Sequence, residues 1–337
     1  MGISRSACME RQSGIKSNKN LSPIIMAAVS LQNIVKTYDK GRVLAVNDVS
    51  FDVQEGELFG LIGPDGAGKT SIFRILTTLL LADKGHASIA GSDVVKDYRS
   101  IRSRVGYMPG RFSLYQDLTV KENLEFFATV FGTTVSANYE LIKDIYDQIK
   151  PFNDRRAGKL SGGMKQKLAL CCALIHKPEV LLLDEPTTGV DVVSRKEFWD
   201  MLKKLKQQGI TILVSTPYMD EANLCDRIAL IQGGKIMSVD TPQHIIASYP
   251  TKLYGAKSTE IYGLLKDLRS EEQVESSYAF GEFLHVTLKN NDQDGIEAIK
   301  KYAGLKGHQG IEVREIAPTI EDSFIRLMNE RKDVPAK

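Results

Sequence analysis

The chain has 337 residues, a length typical of roughly two domains with a core that needs no disulfides or structural metal. Hydrophobic residues make up 42% and charged residues 26% of the chain, which excludes a mainly disordered, collagen-like or coiled-coil architecture. The net charge is only +2, so we expect no nucleic-acid partner held by the bulk field of the protein.

Residues 1–25 are polar and lack the apolar core of a secretory signal, so we expect either a disordered extension or a wrongly chosen start of the chain. No apolar run approaches the ~20 residues of a membrane span, and the cysteines show no repeated spacing. From residue 26 to 248, short apolar strands alternate with helical patterns, which indicates an α/β layered domain. The clearest predicted strands are 58–62, 180–183 and 211–214, and the clearest predicted helices are 69–80, 164–176 and 191–208.

A helical segment interrupts this alternation at about residues 107–165. Thr119 and Glu122 form the two ends of a capping box, after which Leu124, Phe127 and Phe131 recur at helical spacing. A second helical pattern covers residues 139–149. We interpret the segment as a helical subdomain whose aromatic side chains lie mainly in the core, with a docking surface as the alternative.

The pattern changes after residue 248. Strands are predicted at 252–256, 274–279, 283–288 and 311–313, and helices at 260–268, 295–303 and 319–330. The β-α-β-β-α-β order of the first six elements is typical of a ferredoxin-like unit. We therefore expect residues 249–337 to form a small, separable accessory domain.

A glycine-rich loop carries the first chemical signal. The segment Gly63, Pro64, Asp65, Gly66, Ala67, Gly68, Lys69 and Thr70 matches the pattern G-x-x-x-x-G-K-[ST] between a predicted strand and a predicted helix. Glycines let backbone N–H groups converge on phosphate oxygens at a helix start. In such a loop the lysine reaches the β- and γ-phosphates, and the threonine hydroxyl is a ligand for Mg²⁺.

Two further segments complement that loop. The apolar strand 180–183 ends in Asp184 and Glu185, where a parallel strand meets the ligand crevice. We expect Asp184 to hold Mg²⁺ and Glu185 to be the catalytic residue that orients and deprotonates the attacking water. Ser161, Gly162 and Gly163 open a second helix whose N-terminus is able to bind an anion.

Together these motifs resemble the ATP-binding-cassette (ABC) family, with a Walker A loop at 63–70, a signature at 160–166 and a Walker B strand at 180–185. The resemblance covers residues 29–248 and is closest to cassettes of multidrug exporters of the ABC-2 type. It implies an α/β P-loop NTPase cassette, with a mixed sheet core and a helical subdomain, followed by the small α+β ferredoxin-like domain. In that family, two cassettes enclose two ATP molecules, each held by the Walker motifs of one and the signature of the other.

The resemblance also assigns further nucleotide contacts and partners. Tyr38 stands where the family stacks an aromatic ring on adenine, Ser71 follows the Walker A loop, and Asp191 ends a segment like the D-loop. The implied cofactors are ATP and Mg²⁺. The implied partners are a membrane permease subunit and a second cassette, identical or different, with the chain cytoplasmic and peripheral on the inner face of the cell membrane.

At two positions the sequence departs from the family pattern. Gly110 replaces the Q-loop glutamine, with Gln116 too far along the chain to take its role, and Pro217 replaces the switch histidine. The leading hypothesis is the ATPase subunit of an ABC export system. The alternative is a regulatory ATP-binding half of a heterodimeric pair with little hydrolysis of its own. A soluble ABC protein of translation or DNA repair is disfavoured by the single cassette and by the short insertion before Ser161.

Overall fold

The computed structural model describes residues 27–290 and 294–332, so the predicted N-terminal extension and Cys8 lie outside the described residues. The strands are β1 (Ala27–Tyr38), β2 (Val43–Gln54), β3 (Leu58–Ile62), β4 (Lys84–Ile89), β5 (Ser92–Asp93), β6 (Val105–Met108), β7 (Val180–Asp184), β8 (Thr211–Thr216), β9 (Arg227–Gln232), β10 (Lys235–Asp240), β11 (Leu253–Lys257), β12 (Val274–Phe280), β13 (Phe283–Leu288) and β14 (Glu312–Ile316). The α-helices are α1 (Lys69–Leu76), α2 (Tyr98–Arg104), α3 (Val120–Val130), α4 (Tyr139–Ile149), α5 (Gly162–Leu174), α6 (Val192–Gln207), α7 (Pro242–Ala247), α8 (Ile261–Ser270), α9 (Gly295–Leu305) and α10 (Ile320–Lys332).

A six-stranded sheet, in the order β10-β9-β3-β8-β7-β6, forms the centre of the first domain. Its strands run parallel except for the antiparallel edge strand β10. Every residue of β3, β7 and β8 is buried, as predicted from their continuous apolar sequence. The register sets Ile62 level with Thr216 and Asp184 level with Ser215. The carboxyl ends of β3, β7 and β8 therefore meet at one edge of the sheet.

A second, antiparallel sheet has the order β2-β1-β4-β5 and packs against the first. The rings of Phe51 and Phe59 stack between the two sheets with centroids 5.4 Å apart. β1 ends at Tyr38, beside the start of α1.

The predicted capping box begins the helical subdomain. The Thr119 side chain accepts the Glu122 N–H, and the Glu122 carboxylate accepts the Thr119 N–H at 2.8 Å. Leu124 is buried, while Phe127 and Phe131 are partly buried against the same core. The second helix, α4, has the predicted bounds.

The prediction for α1 is wrong at its C-terminal end. The helix ends at Leu76 and does not reach residue 80. Thr78 lies in the left-handed region with a φ of 62°, and the N–H groups of Leu79 and Leu80 both bond to the Arg74 carbonyl. This αL termination closes the helix although the following leucines continue the apolar pattern.

The C-terminal strands form a third sheet with the order β12-β13-β11-β14, antiparallel throughout. The strands β11 and β12, joined through α8, are separated by β13, as the split βαβ arrangement of a ferredoxin-like unit requires. This sheet has a core of its own under α8 and α9, which includes Leu264, Val286 and Ile299.

The last helix, α10, joins this C-terminal unit to the first domain. Ile320 and Phe324 are 2% and 6% exposed and belong to the core cluster that contains Ala222, Cys225 and Ile245. The helix therefore packs against apolar residues of the first domain, and the separability of the accessory unit at residue 248 stays a prediction. Within the described ranges, none of the helices has the length and apolar character needed to cross a membrane.

This packing predicts the effect of removing the Phe324 ring. We expect Phe324→Ala to lower the free energy of unfolding by about 3 kcal/mol, because the ring is buried and its loss leaves a cavity. Urea denaturation of the full chain measures the change. Leu305→Ala is the control, because Leu305 is 79% exposed at the end of α9. Equal effects of the two substitutions would contradict the packing of α10.

Candidate functional site

The glycine-rich loop lies between β3 and α1 at the carboxyl edge of the central sheet. Gly63 and Gly68 are required by close approach: a Cβ would lie 2.1 Å from the Ile231 carbonyl oxygen at Gly63 and 2.3 Å from the Ala45 carbonyl oxygen at Gly68. Gly68 also has a φ of 103° and is the N-cap of α1. The loop therefore presents backbone at the start of a helix, as the motif predicts.

Lys69 spans this loop from beneath. Its Nζ donates to the carbonyl oxygens of Gly63 and Pro64 at 2.7 and 3.0 Å. The same ammonium lies 3.0 Å from Oε1 of Glu185. Lys69 is only 3% exposed, so its ion pair with Glu185, just after β7, is largely shielded from water.

The other loop residues differ in exposure. Asp65 and Gly66 lie at the exposed tip, whereas Ala67 is buried and its carbonyl oxygen accepts the Gly234 N–H. Thr70 is exposed at the start of α1. The tip thus leaves backbone groups accessible above the buried lysine.

Asp184 is placed next to Thr70, as the predicted metal site requires. The Asp184 carboxylate is 2% exposed and accepts the Ser215 hydroxyl at 2.7 Å. Burial raises the pKa of Asp184, and hydrogen bonds from Ser215 and Thr70 oppose the rise only in part. A carboxylate beside a hydroxyl is a set of hard oxygen donors, which suits Mg²⁺.

Glu185 has an unusual backbone conformation that directs its side chain across the site. Its φ is 51°, and a left-handed conformation costs a non-glycine residue roughly 1–3 kcal/mol. Its N–H donates to the backbone oxygen and to Oγ of Ser215 at 3.1 and 3.0 Å, which holds this conformation. The carboxylate consequently faces Lys69, where a catalytic base would meet the loop.

Tyr38 and Ser71 contact each other at the side of the loop. The Tyr38 hydroxyl and Ser71 Oγ are 3.0 Å apart, and the Lys36 ammonium lies 5.9 Å from the ring centroid. The ring therefore flanks the first turn of α1. Its stacking on adenine stays a prediction.

The signature residues have a different set of neighbours. Ser161 is the exposed N-cap of α5 and accepts the Met164 N–H. A Cβ at Gly163 would lie 2.7 Å from Ser194 Oγ, so a larger residue here would require the Ser194 side chain on α6 to shift. In the part of the chain that is described, no hydrogen bond or ion pair joins Ser161, Gly162 or Gly163 to the glycine-rich loop.

Asp191 is the N-cap of α6. Its Oδ1 accepts the Ser194 N–H at 3.0 Å, and this bond lowers the pKa of the carboxyl. The local structure thus explains Asp191 as a helix cap, and its contact with nucleotide stays a prediction.

The two departures from the family pattern both lie at this edge of the sheet. A Cβ on Gly110 would be 3.0 Å from the Asp184 carbonyl oxygen, and Pro217 directly follows the end of β8. Gln116 lies elsewhere, where its carbonyl oxygen accepts the Gly158 N–H. Gln116 therefore does not replace the missing glutamine.

Sequence reasoning missed two site residues, Ser215 and Glu221. Ser215 binds both acidic residues of the site, and Glu221 is a buried carboxylate that accepts the hydroxyls of Thr187 and Thr216. Arg195 lies 3.7 Å from Glu221. A usable signal was polarity at the end of an otherwise apolar strand for Ser215, and an acidic residue just beyond that strand for Glu221.

The raised pKa of Asp184 predicts that removing its charge stabilises the folded chain by an amount that depends on pH. At pH values above the folded-state pKa, the wild-type chain bears the full cost of burying a carboxylate, whereas at acid pH the proton removes that cost. We expect Asp184→Asn to raise the free energy of unfolding more at pH 8 than at pH 4.5. Thermal denaturation at both values measures this, with Asp200→Asn, an exposed position on α6, as the control. An equal increase in the free energy of unfolding at pH 8 and at pH 4.5 would contradict the conclusion that burial of the Asp184 charge is costly.

Comparison with known proteins identifies the family. A family model described as ABC transporter matches residues 46–188. The chain is 36% identical over 306 residues to the probable multidrug ABC transporter ATP-binding protein YbhF of Escherichia coli (strain K12), covering 90% of this chain but only 52% of that relative. It is 38% identical over 309 residues to the Nod factor export ATP-binding protein I of Burkholderia lata, covering 90% of this chain and 97% of that protein.

A solved structure agrees with these relatives. A dimeric ATP-binding cassette in a post-hydrolysis state bound to ADP and Pi matches with a TM-score of 0.58 and 26% identity, over 63% of this chain and 98% of that one. The chain spans about half the length of the Escherichia coli relative and nearly the whole of the Burkholderia one. On its fold, its motifs and these relatives, the chain belongs to the ABC transporter family and is one of the family's ATP-binding proteins.

Proposed function

We propose that the chain is the ATP-hydrolysing subunit of an ABC export system, which dimerises around ATP and drives a separate membrane permease. The observation that carries the proposal is the convergence of Lys69, Asp184 and Glu185 on one edge of the sheet, with Lys69 and Glu185 only 3.0 Å apart. The printed names of the relatives, a multidrug transporter protein and Nod factor export proteins, support export.

The residues of the loop would bind the nucleotide. Backbone N–H groups from Gly66 to Thr70 and the Lys69 ammonium would hold the phosphate oxygens. Tyr38 and Ser71 would line the part of the site that takes the adenine. Thr70 and Asp184 would hold Mg²⁺, which neutralises charge on the phosphates when bound. Binding would pull Lys69 toward phosphate and release Glu185 from their ion pair.

Glu185 would then orient the attacking water and accept its proton. The hydrogen bonds from its N–H to Ser215 fix the backbone, so the released carboxylate keeps its position while its partner changes. Ser161, Gly162 and Gly163 would act on the nucleotide of a second cassette, since within this chain the two glycines have Gly189 and Ser194 as neighbours and Ser161 accepts the Met164 N–H. Asp191 would lie at the same contact between the two chains.

An apolar groove of about 430 Å³ is our proposed docking site for the permease. Its walls include Met108, Phe127 and Phe131, with the exposed side chains of Leu79 and Val130 at its rim. Met108 and Pro109 lead directly to Gly110 at the Asp184 carbonyl, so a cytoplasmic helix of a permease seated here would reach the ATP site through one short segment. Docking at this groove would hold the chain at the cytoplasmic face of the membrane.

The loop geometry predicts a strong effect of Lys69→Ala on nucleotide binding. We expect the affinity for MgATP to fall at least about tenfold, because charge-assisted contacts to phosphate are lost. Titration with a fluorescent ATP analogue measures affinity, and circular dichroism checks the fold. Lys121→Ala, at an exposed lysine on α3, is the matched control. A folded variant with unchanged affinity would exclude the loop as the phosphate site.

The substitutions at Gly110 and Pro217 favour one second candidate, the ATP-binding half of an asymmetric pair. Proline has no imidazole and no backbone donor, so a donor near the γ-phosphate is missing, whereas Ser161, Gly162 and Gly163 remain for the partner's site. Restoring a glutamine at position 110 is not a neutral test, since its Cβ would press on the Asp184 carbonyl. Position 217 is therefore the cleaner probe.

The asymmetric arrangement predicts that Pro217→His raises the steady-state ATPase rate of the isolated chain, by up to about 10²-fold, since a missing preorganised donor costs about that much. Pro217→Ala is the control that removes the ring without adding an imidazole. A wild-type rate that is abolished by Glu185→Gln and not raised by Pro217→His would favour a self-sufficient homodimer instead.

A further inference from the structure

A polar cavity of about 350 Å³ lies in the C-terminal unit, between the third sheet and α10. The sheet contributes Glu275, Tyr278 and His285, and α10 contributes Asp322 and Arg326. The cavity is not a packing defect between apolar side chains, because charged and aromatic groups from two elements line it. Its size suits a molecule of about ten to twenty heavy atoms.

Acidic groups outnumber basic groups around the cavity. Asp322 is paired with His285 at 2.7 Å, and Arg326 with Glu330 at 2.9 Å. Glu275 has only a 4.0 Å contact with Arg326, and its side chain is 42% exposed. Among the described residues, no hydrogen bond reaches the Glu275 carboxylate. The unmatched charge at the cavity is therefore negative and favours a cation.

Two tyrosines give the cavity aromatic walls. Tyr249 and Tyr278 both line it, and the Arg326 guanidinium already lies 5.6 Å from the Tyr249 ring centroid. Burial raises the pKa of Tyr249 to about 12, so the ring stays neutral at physiological pH. Aromatic faces beside a carboxylate recognise organic cations through cation–π attraction and charge pairing together.

The helix that closes the cavity also contacts the ATP-binding domain. Asp322 and Arg326 face the cavity, whereas Phe324 packs in the cluster that contains Ala222 and Cys225. Ala222 belongs to the short 3₁₀ helix Met219–Leu224, which begins two residues beyond Pro217. One helix thus forms a wall of the cavity and supports the segment that follows β8.

That segment is bound directly to the candidate active site. Glu221, within the same 3₁₀ helix, accepts hydrogen bonds from Thr187 and Thr216. Thr187 lies two residues after Glu185, and Thr216 ends the strand that carries Ser215. The helix α10, the 3₁₀ helix Met219–Leu224 and the hydrogen bonds of Glu221 thus lie in sequence between the cavity and the acidic residues.

We propose that this cavity binds a small organic amine, with its ammonium on Glu275 and its apolar part against Tyr249 and Tyr278, and that binding shifts α10 and changes the ATP affinity of the chain. The amine thereby acts as a regulator, at a site separate from the nucleotide. The regulatory part of the proposal depends on ATP binding, whereas the amine site itself does not.

The first experiment measures amine binding to the full chain without nucleotide. Tyramine is the cationic probe, and 3-(4-hydroxyphenyl)propionate is the matched anion with the same ring. Calorimetry is expected to show tyramine binding at least about tenfold tighter than the anion. Glu275→Gln should remove about tenfold of the tyramine affinity, whereas Glu272→Gln, an exposed carboxylate just before the same strand, should remove none. Equal or tighter binding of the anion, or equal effects of the two variants, overturns the amine site.

The second experiment measures coupling. Saturating tyramine is expected to change the dissociation constant of a fluorescent ATP analogue by at least about fivefold, and this change should be absent in Glu275→Gln. Tyramine binding with no change in nucleotide affinity overturns the regulatory role and leaves only a binding site. Because Glu275 lies outside the nucleotide site, unaltered ATP binding by Glu275→Gln alone separates this result from a failure of the nucleotide assignment.

Discussion

The hydrogen bonds of Ser215 hold the two acidic residues of the candidate active site in place. Its hydroxyl donates to the buried Asp184 carboxylate, and its backbone and hydroxyl oxygens accept the Glu185 N–H. The first bond partly offsets the cost of burying a charge, and the second stabilises a left-handed glutamate backbone. Both depend on the parallel register of β7 and β8, in which Asp184 stands opposite Ser215. The positions of both acidic residues therefore depend on the pairing of β7 with β8.

The elements that the sequence predicts best are those that depend on interactions between residues close together in the chain. The buried strands β3, β7 and β8, the capping box at Thr119 and the bounds of α4 follow from apolar runs, a four-residue cap and helical spacing. The glycine-rich loop between β3 and α1 is equally predictable as a structure, since close approach requires Gly63 and Gly68, whereas its binding of phosphate stays a prediction.

The parts that the sequence did not predict depend on contacts between distant segments. Ser215 is marked in the sequence only as a polar residue at the end of an apolar strand, and strand register alone brings it to Asp184. The helix α10 shows a helical pattern, but nothing local tells which apolar side chains face the C-terminal sheet and which face Ala222 and Cys225. The end of α1 was missed because a left-handed residue at Thr78 overrides an apolar pattern that continues through Leu80. Tertiary packing and single-residue backbone geometry account for these differences.

The turn around Pro217 is held by hydrogen bonds of the residues on either side of the proline. The Tyr218 N–H donates to Thr216 Oγ1, and the Thr216 hydroxyl is bound by Glu221, so the residues on both sides of position 217 hold the turn. The Arg195 guanidinium, 4.1 Å from the Tyr218 ring centroid and 3.7 Å from Glu221, adds a further support. None of these bonds uses the side chain or the N–H of residue 217. A proline at the position where the resemblance expects a switch histidine therefore lacks a donor without lacking a bond that holds the fold, and the groups proposed to bind nucleotide are positioned by other contacts.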